Sequence, residues 1–304
     1  MINKLDEIID KLKGSEKMIL SIAQAEDEEL LEAVNEAVKE NIITPILIGN
    51  EESIRAICNK IEFKLDNIKI INSKDIKESS KIAVSLVTNK EADFIMKGIV
   101  DTSILLKEVL NKEYGLRNSS LLSHVAIYEI ESYHKLLILT DAGMNICPDY
   151  KAKEKILLNA IKVAKSLEIE NIKIAALAAK EKVDANMQAT IDADLLKKNF
   201  KESSDKECIV IEGPLSFDIA ICKQSSLIKG LNSKVSGDVD ILLVPNIEAG
   251  NMLGKSFTYM ANAKSAGIIM GAKVPIILPS RSDNHQSKLY SIAYGALVSK
   301  FMKK

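Results

Sequence analysis

Four cysteines in 304 residues, none in a Cys-x-x-Cys pair, leave little for a disulfide framework. Cys58, Cys147, Cys208 and Cys222 are widely scattered, as expected of a reduced, cytoplasmic chain. The three histidines, His124, His134 and His285, show no metal-ligand spacing, so no metal site is expected. His124, inside the strand-like run LLSHVAIYE, reads as a hydrogen-bonded interior or interface histidine. Neither sign of charge dominates: 41 basic and 42 acidic residues are well mixed. No basic stripe alternates with aromatics, which argues against a nucleic-acid partner. Apolar runs are of strand length, well under the ~20 residues of a membrane span, so no membrane partner is expected. The opening MINKLDEIIDKLKG carries acids along an amphipathic helix and does not read as a signal peptide. No internal repeat or low-complexity linker stands out.

What is present is a globular composition, 47% hydrophobic and 27% charged, in a chain long enough for about two domains. Strand and helix signals alternate almost throughout. KMILSIA, TPILIG, NIKIIN and DFIMKG read as short buried strands. Helical segments such as DEELLEAVNEAVKEN lie between them, with Leu30, Val34, Ala37 and Val38 on one face. That order implies right-handed βαβ units and a mostly parallel sheet, an α/β fold. LLSHVAIYEI, ESYHK and LLILTD differ: two strands and a short polar turn suggest a hairpin. After residue 141 the alternation restarts. A helix over 151–167 precedes the strand NIKIAALAA, then come a helix over 186–198, the strand CIVIEGP, a helical turn near 216–221 and VDILLVP. VPIILP leads into a last helix from about 284 to 301.

Ligands of open α/β sheets bind beyond the carboxyl ends of strands, so the polar loops there are the candidate sites. In the first, residues 245–255, the stretch from Ala249 to Ser256 nearly spells a phosphate-binding P-loop. Ala249 stands where that pattern has Gly, and no strand ending in a magnesium-holding Asp accompanies it. A tight loop for another ligand is the preferred reading, with pure packing or a nucleotide site as alternatives. The second loop, Pro279-Ser280-Arg281-Ser282-Asp283, offers a hydroxyl and a planar fork of charged donors. Arg281 is expected in the first turn of a helix, where a cation is electrostatically misplaced unless an anion compensates. Asp141-Ala142-Gly143-Met144-Asn145 follows LLILT, either as a plain turn or as the polar border of a cleft. In Lys97-Gly98-Ile99-Val100-Asp101-Thr102-Ser103, Asp101 or Thr102 can simply cap the next helix. The same lysine, glycine and hydroxyls equally make an anion cradle.

Together these segments resemble the phosphate acyltransferases, the phosphate acetyltransferase and butyryltransferase group, and more closely its butyryl branch. MKGIVDTSILLKEVLN, YHKLLILTDAGMNICPD, IEGPLSFDIAI, PNIEAGNMLGKS and LPSRSDN carry the likeness, over about residues 94 to 290. The resemblance implies two α/β/α domains with mostly parallel sheets and an active site in the cleft between them. Residues 1–140 and 280–304 would form the first domain, and 141–279 the second. The implied reaction is reversible acyl transfer between CoA and inorganic phosphate, with no metal or organic cofactor and with small-molecule partners only. A homo-oligomer is expected on the same ground. Carried over position by position, Ser280 and Arg281 match the catalytic Ser-Arg pair. Gly250, Asn251 and Lys255 match the cleft loop, and Asp141 and Gly143 match the acid and glycine after the hairpin. Thr102 and Ser103, beside Lys97 and Gly98, fall near the phosphate, and Arg117 is a looser match to a phosphate-binding arginine.

The chain departs from the acetyl branch in two places. That branch has an Asp seven residues after the Ser, taken as general base; Ser287 stands there, leaving Asp283 or His285 as substitutes. It also has Asp-Leu-Asn after the loop proline, where this chain has Asn246-Ile247-Glu248. Both differences, with KGIVDTS, favour the butyryl branch. The alternatives are an acetyl preference, transfer to a different acyl carrier, a non-catalytic acyl-CoA-sensing module of the same fold, and a P-loop kinase.

Overall fold

A computed structural model describes residues 1–118, 120–200, 209–280 and 283–304. The expected alternation is borne out. In chain order it begins α1 (Leu5–Leu12), β1 (Met18–Ala23), α2 (Glu28–Lys39), β2 (Ile43–Gly49), α3 (Glu51–Lys60), β3 (Lys69–Asn72), α4 (Ile76–Thr88), β4 (Phe94–Lys97) and α5 (Thr102–Val109). The hairpin follows as β5 (Ser123–Glu129) and β6 (Leu137–Thr140), paired antiparallel. Next come α6 (Tyr150–Ser166), β7 (Ile172–Leu177), α7 (Gln188–Asn199), β8 (Ile209–Leu215), α8 (Phe217–Ile221), α9 (Lys223–Ile228), β9 (Ile241–Leu243) and α10 (Ile247–Met260). The chain ends with β10 (Lys264–Met270), β11 (Ile276–Ile277) and α11 (His285–Met302).

Local chemistry explains many of the helix starts. Asp27, Asn50, Asp75, Asp149, Asn246 and Asn284 each stand at an N-cap, and each side chain accepts a hydrogen bond from a first-turn N–H. Such caps satisfy donors the helix itself leaves without partners.

Two compact units result. The first unit is Leu5–Ser120 with Ser265–Lys304; the second is Met1–Lys4 with Leu121–Lys264. The divisions fall at 120 and 264, so the hairpin belongs to the second unit and not, as residues 1–140 of the expected first domain imply, to the first. In the first unit the strand order is β3-β2-β1-β4-β11-β10, parallel except where β10 meets β11. α11 supplies much of this unit's core: Tyr290, Ile292, Tyr294 and Val298 are essentially inaccessible. Gly295 lets α11 pack closely on the sheet, since a Cβ there would lie 3.0 Å from Ile277 Cδ1 and 3.1 Å from the Phe94 ring. In the second unit the order is β5-β6-β9-β7-β8, with the hairpin pair antiparallel and the β6–β9, β9–β7 and β7–β8 pairs parallel. One face packs Leu139, Leu242 and Val244 against Phe257 of α10 and Ile219 of α8. The other packs Leu243 and Ala176 against Ile156 of α6 and Leu196 of α7.

Three expectations need correcting. β10 was not anticipated, and it adds an antiparallel strand to the first unit. The loop over 245–255 is mostly helix, because α10 begins at Ile247. The last helix begins at His285, capped by Asn284, and so starts four residues beyond Arg281. Contrary to expectation, the first turn of that helix does not include residue 281. Arg281 and Ser282 themselves, like Cys208, lie outside the described residues.

Candidate active site

In the first unit the strand order reverses at β1, from which β2 and β3 run to one side and β4 to the other. Such a switch point opens a crevice at the strand carboxyl ends. The ends of β1 and β4 meet there: Gly98 N–H donates to Ala23 O at 2.8 Å, and Ile99 N–H to Gln24 O at 2.9 Å. A Cβ on residue 98 would sit 1.9 Å from Gln24 O, so only glycine fits. Lys97 is buried, and its ammonium donates to the carbonyls of Gly98 and Val100 at 3.3 and 3.2 Å. Its charge thereby backs the loop that carries Thr102 and Ser103. Those hydroxyl residues are exposed in the first turn of α5, and the N-cap Asp101 makes no side-chain cap bond there. Arg117 is exposed on a segment pinned through Leu116, whose N–H donates to Val109 O and whose O accepts from Lys273 N–H.

The turn after β11 is closed from both ends. Ser280 N–H donates to Asp283 Oδ2 at 2.8 Å, and Asp283 N–H to Ser280 O at 3.1 Å. The other proposed base, His285, faces Glu36 on α2 at 3.1 Å. At Ser287 it is the backbone N–H that is engaged, by the Asn284 cap at 2.9 Å.

In the second unit β6 and β9 end side by side, with α6 on one face and α10 on the other. Asp141 is 2% exposed, and its carboxylate is the organiser of the loop that follows β6. Oδ1 accepts from the N–H groups of His124, Gly143 and Met144 at 3.2, 3.0 and 3.0 Å. Oδ2 accepts from Asn145 N–H at 3.2 Å and Asn145 Nδ2 at 2.6 Å. A side chain at Gly143 would press on the His124 ring, 3.3 Å from its Cγ. The loop's Ile146 O accepts from Ile247 N–H at 3.0 Å, which ties it to the start of α10. Gly250 and Gly254 then face inward. A Cβ at 250 would be 2.8 Å from Val244 Cγ2 and 2.9 Å from Ala142 Cα. Asn251 and Lys255, one turn apart, are exposed, with the Lys255 ammonium 5.8 Å from the Tyr259 ring centre. Because residues 249–256 are helical, no loop wraps a phosphate there.

Sequence reasoning missed several residues at these strand ends. Gln24, at φ 57°, sends its amide to Glu26 Oε1 at 2.8 Å, where Asn50 N–H also donates. Lys153 and Asp192 form a buried pair at 2.6 Å around a small cavity that Pro245 also lines. Neither group lies in a motif, and only the fold brings them to the strand ends. Cys58 is buried, which pushes its thiol up to about 11, and Cys147 and Cys222 are exposed. The Ser225 hydroxyl and N–H draw the Cys222 thiol below its ordinary range. No His/Cys/Asp/Glu cluster of metal-binding kind occurs among the described residues. No helix among them is long and apolar enough to cross a membrane.

A family model described as "Phosphate acetyl/butaryl transferase" matches residues 4–82 and 74–296. The phosphate butyryltransferase of Clostridium acetobutylicum is 42% identical over 299 residues, 98% of this chain and 99% of that one. The phosphate acetyltransferase of Thermotoga maritima is 36% identical over 295 residues, 97% of this chain and 99% of the other. Among solved structures, a branched-chain phosphotransacylase from Enterococcus faecalis V583 superposes with a TM-score of 0.84 at 34% identity, covering 93% of this chain and 99% of that one.

Proposed function

We propose that this chain, which belongs to the phosphate acetyl/butyryl transferase family of acyltransferases, exchanges a butyryl-sized acyl group between CoA and inorganic phosphate. The carrying observation is the near full-length likeness to a phosphate butyryltransferase, higher than to the acetyl enzyme compared above. The branched-chain phosphotransacylase likeness supports an acyl group larger than acetyl.

In the direction of acyl-CoA synthesis, the CoA thiol loses its proton to a base and its sulfur attacks the carbonyl carbon of the acyl phosphate. A tetrahedral oxyanion forms, then collapses to thioester as the C–O bond to phosphate breaks and phosphate leaves with the electron pair. Donors aimed at the oxyanion are usually the largest catalytic contribution. Ser280, beside Arg281, is the proposed source. Asp283 holds the Ser280 N–H with one carboxylate oxygen, and its other oxygen is the proposed proton acceptor. Lys97, Gly98, Thr102, Ser103 and Arg117 are the proposed phosphate-binding set of the first unit. Asn251 and Lys255, on the exposed side of α10, are the proposed CoA contacts of the second. Asp141, Gly143 and Gly250 serve that site indirectly, by shaping the loop and helix that carry those contacts. No covalent enzyme intermediate is needed, so holding both substrates in register supplies much of the remaining rate. The reaction as proposed uses no metal or organic cofactor. A cytoplasmic setting and a homo-oligomeric state belong to the same proposal.

A thiol-consumption assay with CoA and a series of acyl phosphates tests the reading. Butyryl phosphate should give the higher kcat/KM. A higher value for acetyl phosphate would overturn the chain-length proposal, and no turnover of any acyl phosphate would overturn the activity.

A further inference from the structure

Asp283 is tied to α2 of the first unit through a buried cation. Lys288, on the first turns of α11, is only 4% exposed. Its ammonium donates to the carbonyl oxygen of Asp283 at 2.7 Å and to Glu29 Oε2 on α2 at 2.7 Å. Asp283 in turn holds Ser280 through the reciprocal pair already described. The result is a continuous relay from α2 through Lys288 and Asp283 to Ser280.

Burying an ammonium is unfavourable unless it is paired and hydrogen-bonded. A packed helix would be served as well, or better, by an apolar residue at this position. The neighbours of Lys288 on α11, Leu289 and Ile292, are apolar and buried, as a core helix requires. A cation kept here, with one bond spent on the main chain of the turn, is therefore explained by what it holds. The Glu29 carboxyl lies below its ordinary range because Lys288 bonds to it, consistent with an ionised pair.

We propose that Lys288, held by Glu29, is a positioning residue for the reaction: it fixes the Asp283 carbonyl and so holds the Ser280 main chain that presents the catalytic hydroxyl. The inference rests on the reading of the 280–283 turn as part of the active site. Lys288 touches no substrate; it acts through Asp283 and Ser280. Misplacing a catalytic group by about 1 Å costs as much as a hundredfold in rate, so the effect should appear in kcat.

The test compares wild type with Lys288→Met, Glu29→Met, Glu29→Gln and Ser280→Ala, measuring kcat, KM for both substrates and the thermal midpoint. Lys288→Met should lower kcat about tenfold or more while KM changes by less than about threefold. Glu29→Met, at an exposed position that tolerates change, should lower kcat in the same direction. Glu29→Gln keeps an acceptor for Lys288 and should restore most of the activity. A merely structural lysine would lower the midpoint and leave kcat intact well below it. Folded Lys288→Met with wild-type kcat would overturn the proposal; if that variant does not fold, wild-type kcat in Glu29→Met would do so. Ser280→Ala separates the two levels. Full activity there sinks the site reading itself, whereas an impaired Ser280→Ala beside fully active Lys288 and Glu29 variants sinks only the positioning role.

Discussion

Replacing Gly250 by alanine sets two opposing effects against each other. In an ordinary helix interior the change would be favourable by ~1 kcal/mol, because alanine forms helix better than glycine. Here the added methyl would lie 2.8 Å from Val244 Cγ2, 2.9 Å from Ala142 Cα and 3.0 Å from Asp141 O. Two of those neighbours are main-chain atoms of a loop already held by the Asp141 carboxylate, so they cannot move aside cheaply. Overpacking a rigid site typically costs ~1–3 kcal/mol, and rigid backbone favours the upper end. The net expectation is a loss of about 1–2 kcal/mol, hence a thermal midpoint lower by roughly 3–6 °C. Gly254 is the internal control. Its added methyl would meet the Tyr128 hydroxyl at 2.5 Å and Leu139 Cδ2 at 3.4 Å, both the far ends of side chains. Gly254→Ala should cost less than Gly250→Ala, because a side-chain hydroxyl and not main chain has to shift. Calorimetric melting of both variants checks the order. A Gly250→Ala midpoint at or above wild type, with activity lost, would show that the glycine serves a ligand and not the packing of α10.

Asp141→Asn should destabilise the loop after β6 by about 1–3 kcal/mol, because an amide nitrogen replaces an oxygen that accepts N–H bonds; a urea midpoint equal to wild type would contradict this. Stability should also fall in acid through Asp238. Partial burial raises its pKa, but hydrogen bonds from Lys135, Lys173 and His134 together outweigh that and hold it below the ordinary value of 3.8. A depressed folded pKa contributes stability above that value and loses it as pH falls below it. Asp238→Asn should therefore flatten the decline of the urea midpoint below pH 3.8, and an unchanged slope would rule the group out. Titration with Mg-ATP should show no saturable heat, since residues 249–256 are helix; micromolar binding would restore the nucleotide reading.

The alternation, the hairpin and the long last helix were legible because each is written locally, in apolar periodicity and in Asp or Asn caps such as Asn246 and Asn284. α10 was misread for a physical reason. Glycines four residues apart suit either a phosphate loop or a helix pressed against strands, and only the contacts with Val244 and Tyr128 decide between them. β11 was legible in VPIILP, although the prolines at 275 and 279 confine it to Ile276–Ile277, whereas β10 begins on Lys and Ser and carries no clean strand signature. At the site, strand-end residues such as Lys97 and Asp141 were found by motif and topology. What their side chains do was not legible: the Asp141 carboxylate is occupied by amides that only the folded loop brings to it. Lys288 was invisible for the same reason, since a lysine in an amphipathic pattern gives no sign of being buried.

The central claim is acyl transfer at the turn that follows β11. Its most direct measurement is kcat/KM for CoA and butyryl phosphate in Ser280→Ala and Arg281→Ala, with the thermal midpoint taken on the same samples. Each variant should lose about 2.7–4 kcal/mol of transition-state stabilisation, roughly 10²–10³ in rate, at an unchanged midpoint. Wild-type kcat/KM in both folded variants would contradict the account.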